Sequence, residues 1–246
     1  MWDNPRLLNA LAGALTALSL MVFAFAATQL LLRSPLFPLR EVELRGALAH
    51  TTGAQVEQAM HGRVDGNFFA VDLAQPRAAL EQLPWVRRVR VRRIWPDRLE
   101  VTLEEHVPLA RWGDLGMVNV QGERFAGRSD AALPLFTGPA GSEAEVTRRY
   151  LRFAELLSPL GAPLEALILS PRHAWQARLG GGLTIELGRD SPNDPVEGRL
   201  QRFVAVHPQT LGRMQRTPTP EGVPHTYVDL RYPNGFALRV PALKGG

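Results

Sequence analysis

The hydrophobic pattern divides the chain into one long apolar run and a series of short, regularly interrupted elements. No charged side chain occurs over residues 7–32, and Arg6 and Arg33 close the run on either side. A helix needs about 20 apolar residues to cross the hydrocarbon layer of a bilayer. The pattern therefore predicts a transmembrane helix over residues 7–32, preceded by a short tail of residues 1–6.

Two properties of this run leave alternatives open. Ala24-Phe25-Ala26 has the form of a signal-peptide cleavage site, but the apolar run is longer than a signal peptide needs and resumes at Leu30-Leu31-Leu32. We expect an uncleaved anchor, with cleavage after Ala26 as the alternative. The distribution of arginines does not favour the orientation that we expect, with the N-terminus in the cytoplasm. Large domains nevertheless cross membranes largely regardless of charge.

The next segment predicts the order strand, helix, helix, strand, strand. Thr52-Gly53-Ala54-Gln55 has the form of a capping box and marks the start of the first helix. Asp72 is expected to cap the second helix and Pro84 to stop it. The last two strands alternate apolar and charged residues around a turn at Trp95-Pro96-Asp97. One sheet face is then apolar and can be covered by the two helices.

The rest of the chain predicts a second, mainly antiparallel β domain with flanking helices, so that the fold class is α+β. Gly180-Gly181-Gly182 follows a strand but opens no helix, which favours a hairpin turn over a phosphate-binding loop. Residues 217–224 are Pro-rich, which predicts a linker. Asn234-Gly235 predicts a hairpin turn. Strands are expected near residues 117–125, 133–137, 166–169, 175–179, 183–187, 226–230 and 236–240, and helices near 146–157 and 199–206.

Composition narrows the function. The net charge is only +4, and the absence of Cys excludes disulfides and Cys-based zinc sites. The six His are isolated, and no H-E-x-x-H, G-x-S-x-G, P-loop or dinucleotide motif occurs. We therefore expect no enzymatic activity, cofactor, metal or small-molecule substrate. Binding to other proteins is the function that remains.

A cluster of arginines on the fourth predicted element has more than one interpretation. Its members are Arg87, Arg88, Arg90, Arg92 and Arg93. A solvated strand face, balanced by Glu100 and Glu104 on the next strand, is the simplest interpretation. Contact with an acidic protein or with anionic lipid is the alternative. Nucleic acid is not expected, because no aromatic residues are interleaved to stack on bases.

Two sets of residues have a specific spacing. The first comprises Leu83-Pro84-Trp85-Val86, Arg93-x-Trp95-Pro96 and Glu105-x-x-Pro108-x-Ala110-x-Trp112. The second comprises Leu133-Pro134, Ala174-Trp175, Leu187-Gly188-Arg189, Arg202-Phe203 and Tyr227-Val228-Asp229-Leu230-Arg231-Tyr232 followed by Gly235. Together they resemble the FtsQ/DivIB family of bacterial cell division proteins over nearly the whole chain. The chain departs from that family in its short N-terminal tail and at Val240, where some relatives carry an aromatic residue.

The resemblance implies a POTRA domain over residues 37–106, an FtsQ-type β domain over 107–241 and a C-terminal tail of residues 242–246. It also implies a single-pass type II protein of the inner membrane, with its folded part in the periplasm at the division septum. The implied function is that of a scaffold that binds FtsB- and FtsL-like proteins and helps control septal peptidoglycan synthesis.

The last hairpin is the candidate binding site. A hairpin at a sheet edge exposes unpaired backbone groups to which an extended partner segment can add as another strand. Arg231 and Tyr232 are suited to carboxylates and apolar anchors, and both residue types are common at binding hot spots. The resemblance implies that Arg189, Arg231, Tyr232 and Gly235 lie near the contact with FtsB. Two alternatives stay open: a POTRA-containing transport or assembly factor, and a periplasmic protein released by cleavage.

Overall fold

The structure, a computed structural model, describes residues 5–33, 38–64, 67–210, 226–232 and 235–239. The chain forms two compact units, Met1–Glu105 and His106–Gly246. The predicted linker over residues 217–224, the Pro233-Asn234 part of the last turn and Val240 lie outside the described residues.

The predicted apolar helix is present. Helix α1 extends over Pro5–Arg33. Within the part of the chain that the structure describes, its segment Leu8–Leu30 is the one stretch long and apolar enough to cross a membrane, and none of it is buried. Large exposed apolar side chains along a helix are costly in water, so its composition suits a lipid environment.

The first unit continues with β1 (Glu41–Arg45), α2 (Gly53–Met60), α3 (Ala74–Leu80), β2 (Val86–Ile94) and β3 (Arg98–Glu105). This order of elements is as predicted. Strand β3 is central, paired parallel with β1 and antiparallel with β2. The helices cover its apolar face, and the core consists of Val56, Met60, Leu80, Val86, Val89, Val101 and Leu103.

Local sequence motifs correctly predicted the start of α2 but not the end of α3. The Thr52 hydroxyl accepts a hydrogen bond from the Gln55 N–H, and the Gln55 side chain accepts from the Thr52 N–H, so the predicted capping box is confirmed. Helix α3 ends at Leu80, earlier than the predicted stop at Pro84, because the next residues form a tighter turn through the bond from Leu83 N to Leu80 O.

The predicted cap of α3 is shifted by one residue. The position before the helix is Leu73, which makes no side-chain cap. Asp72 still accepts a hydrogen bond from the Ala74 N–H at 2.9 Å, so it satisfies one of the free donors at the helix start.

Most of the arginine cluster is bonded within the first unit, which fits the simplest interpretation of it. Arg87 pairs with Glu104, Arg92 pairs with the buried Glu100, and Arg93 donates to the carbonyl oxygens of Phe68 and Val71. Arg88 and Arg90 are exposed and have no ion-pair partner among the described residues.

Glu105, the last residue of β3, ties that strand to residues 49–51, which follow β1. Its buried carboxylate accepts hydrogen bonds from the N–H groups of Ala49 at 3.0 Å and Thr51 at 2.6 Å. Burial acts to raise the pKa of Glu105, but the hydrogen bonds from Thr51, Ala49 and His50 outweigh it and lower the pKa to about 2.

In the part of the second unit that the structure describes, one nine-stranded sheet carries two α-helices on one face. Its elements are β4 (Pro108–Trp112), β5 (Met117–Asn119), β6 (Arg124–Phe125), β7 (Leu135–Thr137), α4 (Glu143–Leu157), β8 (Leu164–Leu169), β9 (Ala174–Leu179), β10 (Leu183–Arg189), α5 (Val196–Val206), β11 (Thr226–Asp229) and β12 (Ala237–Arg239). The strand order is β12-β11-β10-β9-β8-β7-β4-β5-β6. Five of the eight neighbouring pairs in the described sheet are antiparallel, as the prediction of a mainly antiparallel domain requires.

Three pairs are parallel, namely β4 with β7, β7 with β8 and β10 with β11. Sequence patterning had not identified β4 as a strand. Helices α4 and α5 cover one sheet face, where Phe153, Trp175, Ile185, Leu200 and Phe203 are all almost completely buried. Gly180-Gly181-Gly182 joins β9 to β10, which confirms the hairpin turn.

Candidate partner-binding edge

The candidate site lies at the β12 border of the nine-stranded sheet. Strand β12 pairs antiparallel with β11, where Leu238 lies opposite Val228. Strand β11 in turn pairs parallel with β10. No described strand pairs with the outer side of β12, so its outward backbone groups are open to another strand.

The border is held in place by apolar contacts with the core. Val228 and Leu230 are buried beneath helix α5. The Phe236 ring packs edge-on against Phe203 of α5, with ring centroids 5.6 Å apart. These contacts fix the hairpin on the sheet, so β12 is a preformed template for strand addition.

A groove runs between helix α5 and this hairpin. Its volume is about 310 Å³, and it is lined by Arg199, Arg202, Phe203, Val206, Leu230, Tyr232, Gly235 and Phe236. Tyr232 is 55% exposed and Val206 is 39% exposed, so the groove offers apolar surface to a ligand. An apolar groove next to an open strand edge can hold side chains of a segment that adds to the edge.

Arg231 is oriented by Asp229, the last residue of β11, which precedes it by two residues. Its Nη2 atom donates to Asp229 Oδ2 at 2.6 Å and its Nε atom to Asp229 Oδ1 at 2.9 Å. The hydrogen bonds from Arg231 lower the pKa of Asp229, so this carboxylate stays charged. The Arg231 side chain is 57% exposed, and its Nη1 group has no hydrogen-bond partner in the described structure. A second carboxylate can therefore bind there without displacing Asp229.

Gly188 lets the Arg231 side chain pack directly against the backbone of strand β10. Its φ of +71° belongs to the left-handed region, and a Cβ at this position would lie 2.8 Å from Arg231 Cγ. A β-bulge between Glu186 and Gly188 interrupts the pairing of β10 with β9 at this point. The Arg231 side chain therefore packs against the backbone of β10 one residue before Arg189.

A buried arginine clamps the end of β10. Arg199 of α5 donates through Nη1 to the carbonyl oxygens of Leu187 and, at 3.0 Å, Arg189. Its Nε atom donates to Asp194 Oδ2 at 2.6 Å. Hydrogen bonds from Arg202 and then Arg199 lower the pKa of Asp194. This network fixes the backbone that carries the exposed Arg189 side chain.

A second arginine ties helix α4 to the same loop. Arg149 forms ion pairs with Asp190 and Glu197, and its guanidinium lies 5.9 Å from the centre of the Trp175 ring. Asp190 also accepts from the Val196 N–H at 3.1 Å at the start of α5. The loop between β10 and α5 is thus held by charged groups from both helices.

The structure separates the four predicted site residues into two groups. Tyr232 and Gly235 line the groove beside α5. Arg189 is the last residue of β10 and Arg231 lies two residues beyond the end of β11, and each is held by a partner that sequence patterning did not identify. Asp229 lies only two residues from Arg231, but that spacing does not by itself predict an ion pair. Arg199 lies on a different element from Arg189, and no local pattern indicates which backbone carbonyl its side chain will meet.

Among the described residues, no cluster of three or more His, Asp or Glu side chains is arranged to hold a metal ion. The fold and the site define a class of protein: a two-unit α+β chain with an N-terminal apolar helix and an open, groove-flanked sheet edge. This class has close counterparts in known proteins.

Two family models match the chain. One describes the FtsQ-type POTRA domain and matches residues 37–106. The other describes the C-terminal part of the cell division protein FtsQ/DivIB and matches residues 110–231. The cell division protein FtsQ of Burkholderia pseudomallei is 45% identical over 99% of this chain and 96% of its own length. FtsQ of Nitrosospira multiformis is 43% identical over 97% of this chain and 99% of its own length.

The chain belongs to the FtsQ/DivIB family of bacterial cell division proteins. Its first unit contains the FtsQ-type POTRA domain, and its second unit contains the region matched by the FtsQ/DivIB C-terminal model.

Proposed function

We propose that this protein is a non-enzymatic scaffold of the division machinery, anchored in the inner membrane by α1 with its folded part in the periplasm at the septum. Its partners are FtsB- and FtsL-like proteins, and its role is to help control septal peptidoglycan synthesis. The POTRA domain contacts other members of the same machinery.

The observation that carries this proposal is the open outer side of β12 beside the groove of α5. An extended segment of the FtsB-like partner adds to β12 through backbone hydrogen bonds. Its apolar side chains enter the groove against Tyr232, and an acidic side chain binds the free Nη1 group of Arg231. Arg189 and Gly235 lie at the margins of this contact.

The test is a binding measurement with the full-length chain and the FtsB-like protein of the same bacterium. Replacing an aromatic or arginine hot spot with Ala reduces the binding free energy by about 2 kcal/mol or more. Tyr232→Ala and Arg231→Ala should therefore each raise the dissociation constant by about 30-fold. Leu151→Ala is the matched control, because Leu151 is an apolar residue of α4 that is similarly exposed at 51%. Unchanged affinity in both site variants would remove the proposed site.

Strand addition has a separate readout. Backbone amide hydrogens of β12, Ala237–Arg239, should exchange more slowly with solvent once the partner is bound. Exchange that is equally fast in the free and bound states would show that the partner binds without extending the sheet.

A further inference from the structure

One end of the POTRA sheet lies close to the membrane because the connection from α1 is short. Helix α1 ends at Arg33, and Pro38 follows Arg33 by five residues. A chain advances at most about 3.6 Å per residue, so Pro38 lies within about 18 Å of the end of α1. Whatever surrounds Pro38 is therefore held near the bilayer in which α1 is anchored.

Two other segments meet the chain at this end. Pro38 forms an antiparallel bridge with Asn67, which precedes α3. The Arg40 N–H donates to the carbonyl oxygen of Asp97, in the turn between β2 and β3, at 2.9 Å. Since β1 and β3 run parallel from this end, the loop at residues 67–71 and the turn at residues 95–97 both flank the point of entry.

Each of these segments exposes an aromatic ring. Trp95 is 73% exposed at the tip of the β2–β3 turn, and Phe69 is 43% exposed in the neighbouring loop. The loop is rigidly placed, because Arg93 donates to Phe68 O at 2.8 Å and the Phe69 ring packs edge-on against the buried Phe68 ring. The Trp95 side chain has an apolar body and a polar N–H, which favours the interface between lipid and water, and Phe69 adds exposed apolar surface beside it.

Charge plays the smaller part at this end. The arginines there are Arg40, Arg92, Arg93 and Arg98, and the carboxylates are Glu41, Asp97 and the buried Glu100. Arg98 pairs with Glu41 at 3.1 Å and Arg92 with Glu100 at 2.5 Å. One net positive charge attracts an anionic surface by only about 1 kcal/mol, so the rings must supply most of any membrane contact.

We propose that this end of the POTRA domain docks on the bilayer surface that anchors α1, with Trp95 and Phe69 in the interfacial layer. The inference rests on the membrane anchoring in the proposed function. The tether holds the rings at a high local concentration next to the lipid, so a weak contact is enough to keep the domain docked. Docking would set the direction in which the POTRA domain projects from the membrane.

The test uses the full chain reconstituted in vesicles whose lipids carry bromine on the acyl chains near the headgroups, because bromine quenches tryptophan only on contact. A Trp2→Phe background removes the tryptophan next to the other end of the apolar run. The emission lost on adding Trp95→Phe to that background is the Trp95 component. This component should be quenched in brominated vesicles and retained in unbrominated vesicles of the same headgroup composition.

Trp85 provides the matched control. It lies just before β2, at the other end of the sheet, where its ring stacks on His50 at 3.6 Å. Trp85→Phe should therefore leave the bromine-dependent quenching unchanged. Brominated vesicles of phosphatidylcholine alone and brominated vesicles that also contain phosphatidylglycerol should both quench Trp95, since the rings rather than the arginines carry the contact.

Flotation of the vesicles after carbonate extraction distinguishes a failure of the docking proposal from a failure of the membrane anchoring. If the chain floats with the vesicles but the Trp95 component is the same with and without bromine in both lipid compositions, the docking is wrong and the anchoring stands. If the chain is extracted by carbonate, the anchoring itself is wrong, and the proposed function fails with it.

Discussion

Replacing the buried Arg199 by Leu should destabilise the second unit, whereas the same change at Arg202 should not. Both arginines bind the carboxylate of Asp194, but the Arg199 side chain is 9% exposed and the Arg202 side chain is 55% exposed. Arg199 also donates to the carbonyl oxygens of Leu187 and Arg189, which Arg202 does not reach in the described structure. The pair therefore isolates the effect of the buried clamp from the effect of losing one ion pair.

The expected loss of stability in Arg199→Leu depends on whether water can reach the groups that lose their hydrogen bonds to Arg199. Leu187 is fully buried, so its carbonyl oxygen loses a charged donor and gains no water, which costs about 1–3 kcal/mol. Asp194 and Arg189 are accessible enough to be hydrated, and the buried Leu side chain offsets part of the loss. We expect Arg199→Leu to cost about 2–3 kcal/mol, and Arg202→Leu, an exposed pair, at most about 0.5 kcal/mol.

Thermal unfolding of the full-length chain in detergent, followed by near-ultraviolet circular dichroism, measures the difference. For a domain of this size 1 kcal/mol corresponds to about 3 °C, so Arg199→Leu should lower the melting temperature of the second unit by about 6–9 °C. Arg202→Leu should lower it by no more than about 2 °C. Equal shifts in the two variants would refute the reasoning, because they would show that burial of the clamp contributes nothing.

Two further predictions concern a carboxylate and a glycine. The pKa of Glu105 falls from 4.5 to about 2 on folding, so its charged form stabilises the first unit above pH 4.5. This shift is worth at most about 3.4 kcal/mol, which solvent screening reduces to about 2–3 kcal/mol, and the contribution is lost as the pH falls towards 2. Glu105→Gln should flatten the acid unfolding curve of the first unit in that range, whereas Glu104→Gln, at an exposed neighbour, should leave it unchanged. Gly188→Ala should cost about 1–2 kcal/mol of stability from its positive φ and should also weaken partner binding by displacing Arg231. Gly53→Ala, where the added Cβ meets open space, should change neither stability nor partner binding. If Gly188→Ala left the partner affinity unchanged, the contact between Gly188 and the Arg231 side chain would not be what holds Arg231 in place.

The elements that sequence predicted well have their causes within a few residues. The capping box joins Thr52 to Gln55, and the alternation of β2 and β3 is set by the side-chain period of a strand. The end of α3 at Leu80 was missed because proline marks where a helix must stop and gives no information on an earlier stop. Strand β4 was missed because its pairing with β5 and β7 on its two sides, and not its short pattern, makes it a strand.

In the candidate site, too, local patterns predicted some features and contacts between distant residues decided the others. Tyr232 and Gly235 were placed near a sheet edge from the hairpin pattern, and the described structure has β12 at that edge. The partners that orient the arginines were not predicted. Arg199 reaches Leu187 across the loop between β10 and α5, and the Arg231 side chain lies against Gly188, which is far from it in sequence.

The sequence alone determined the apolar helix, the order of elements in the POTRA domain and the family to which the chain belongs. Each of these depends on hydrophobic periodicity or on fixed spacings that are legible along the chain. Only the tertiary structure decided that β11 lies parallel to β10, that Arg199 clamps the end of β10, and that the groove forms between α5 and the last hairpin. These features depend on contacts between residues distant in the chain, whose free energy comes from mutual burial and hydrogen-bond geometry that no single segment specifies.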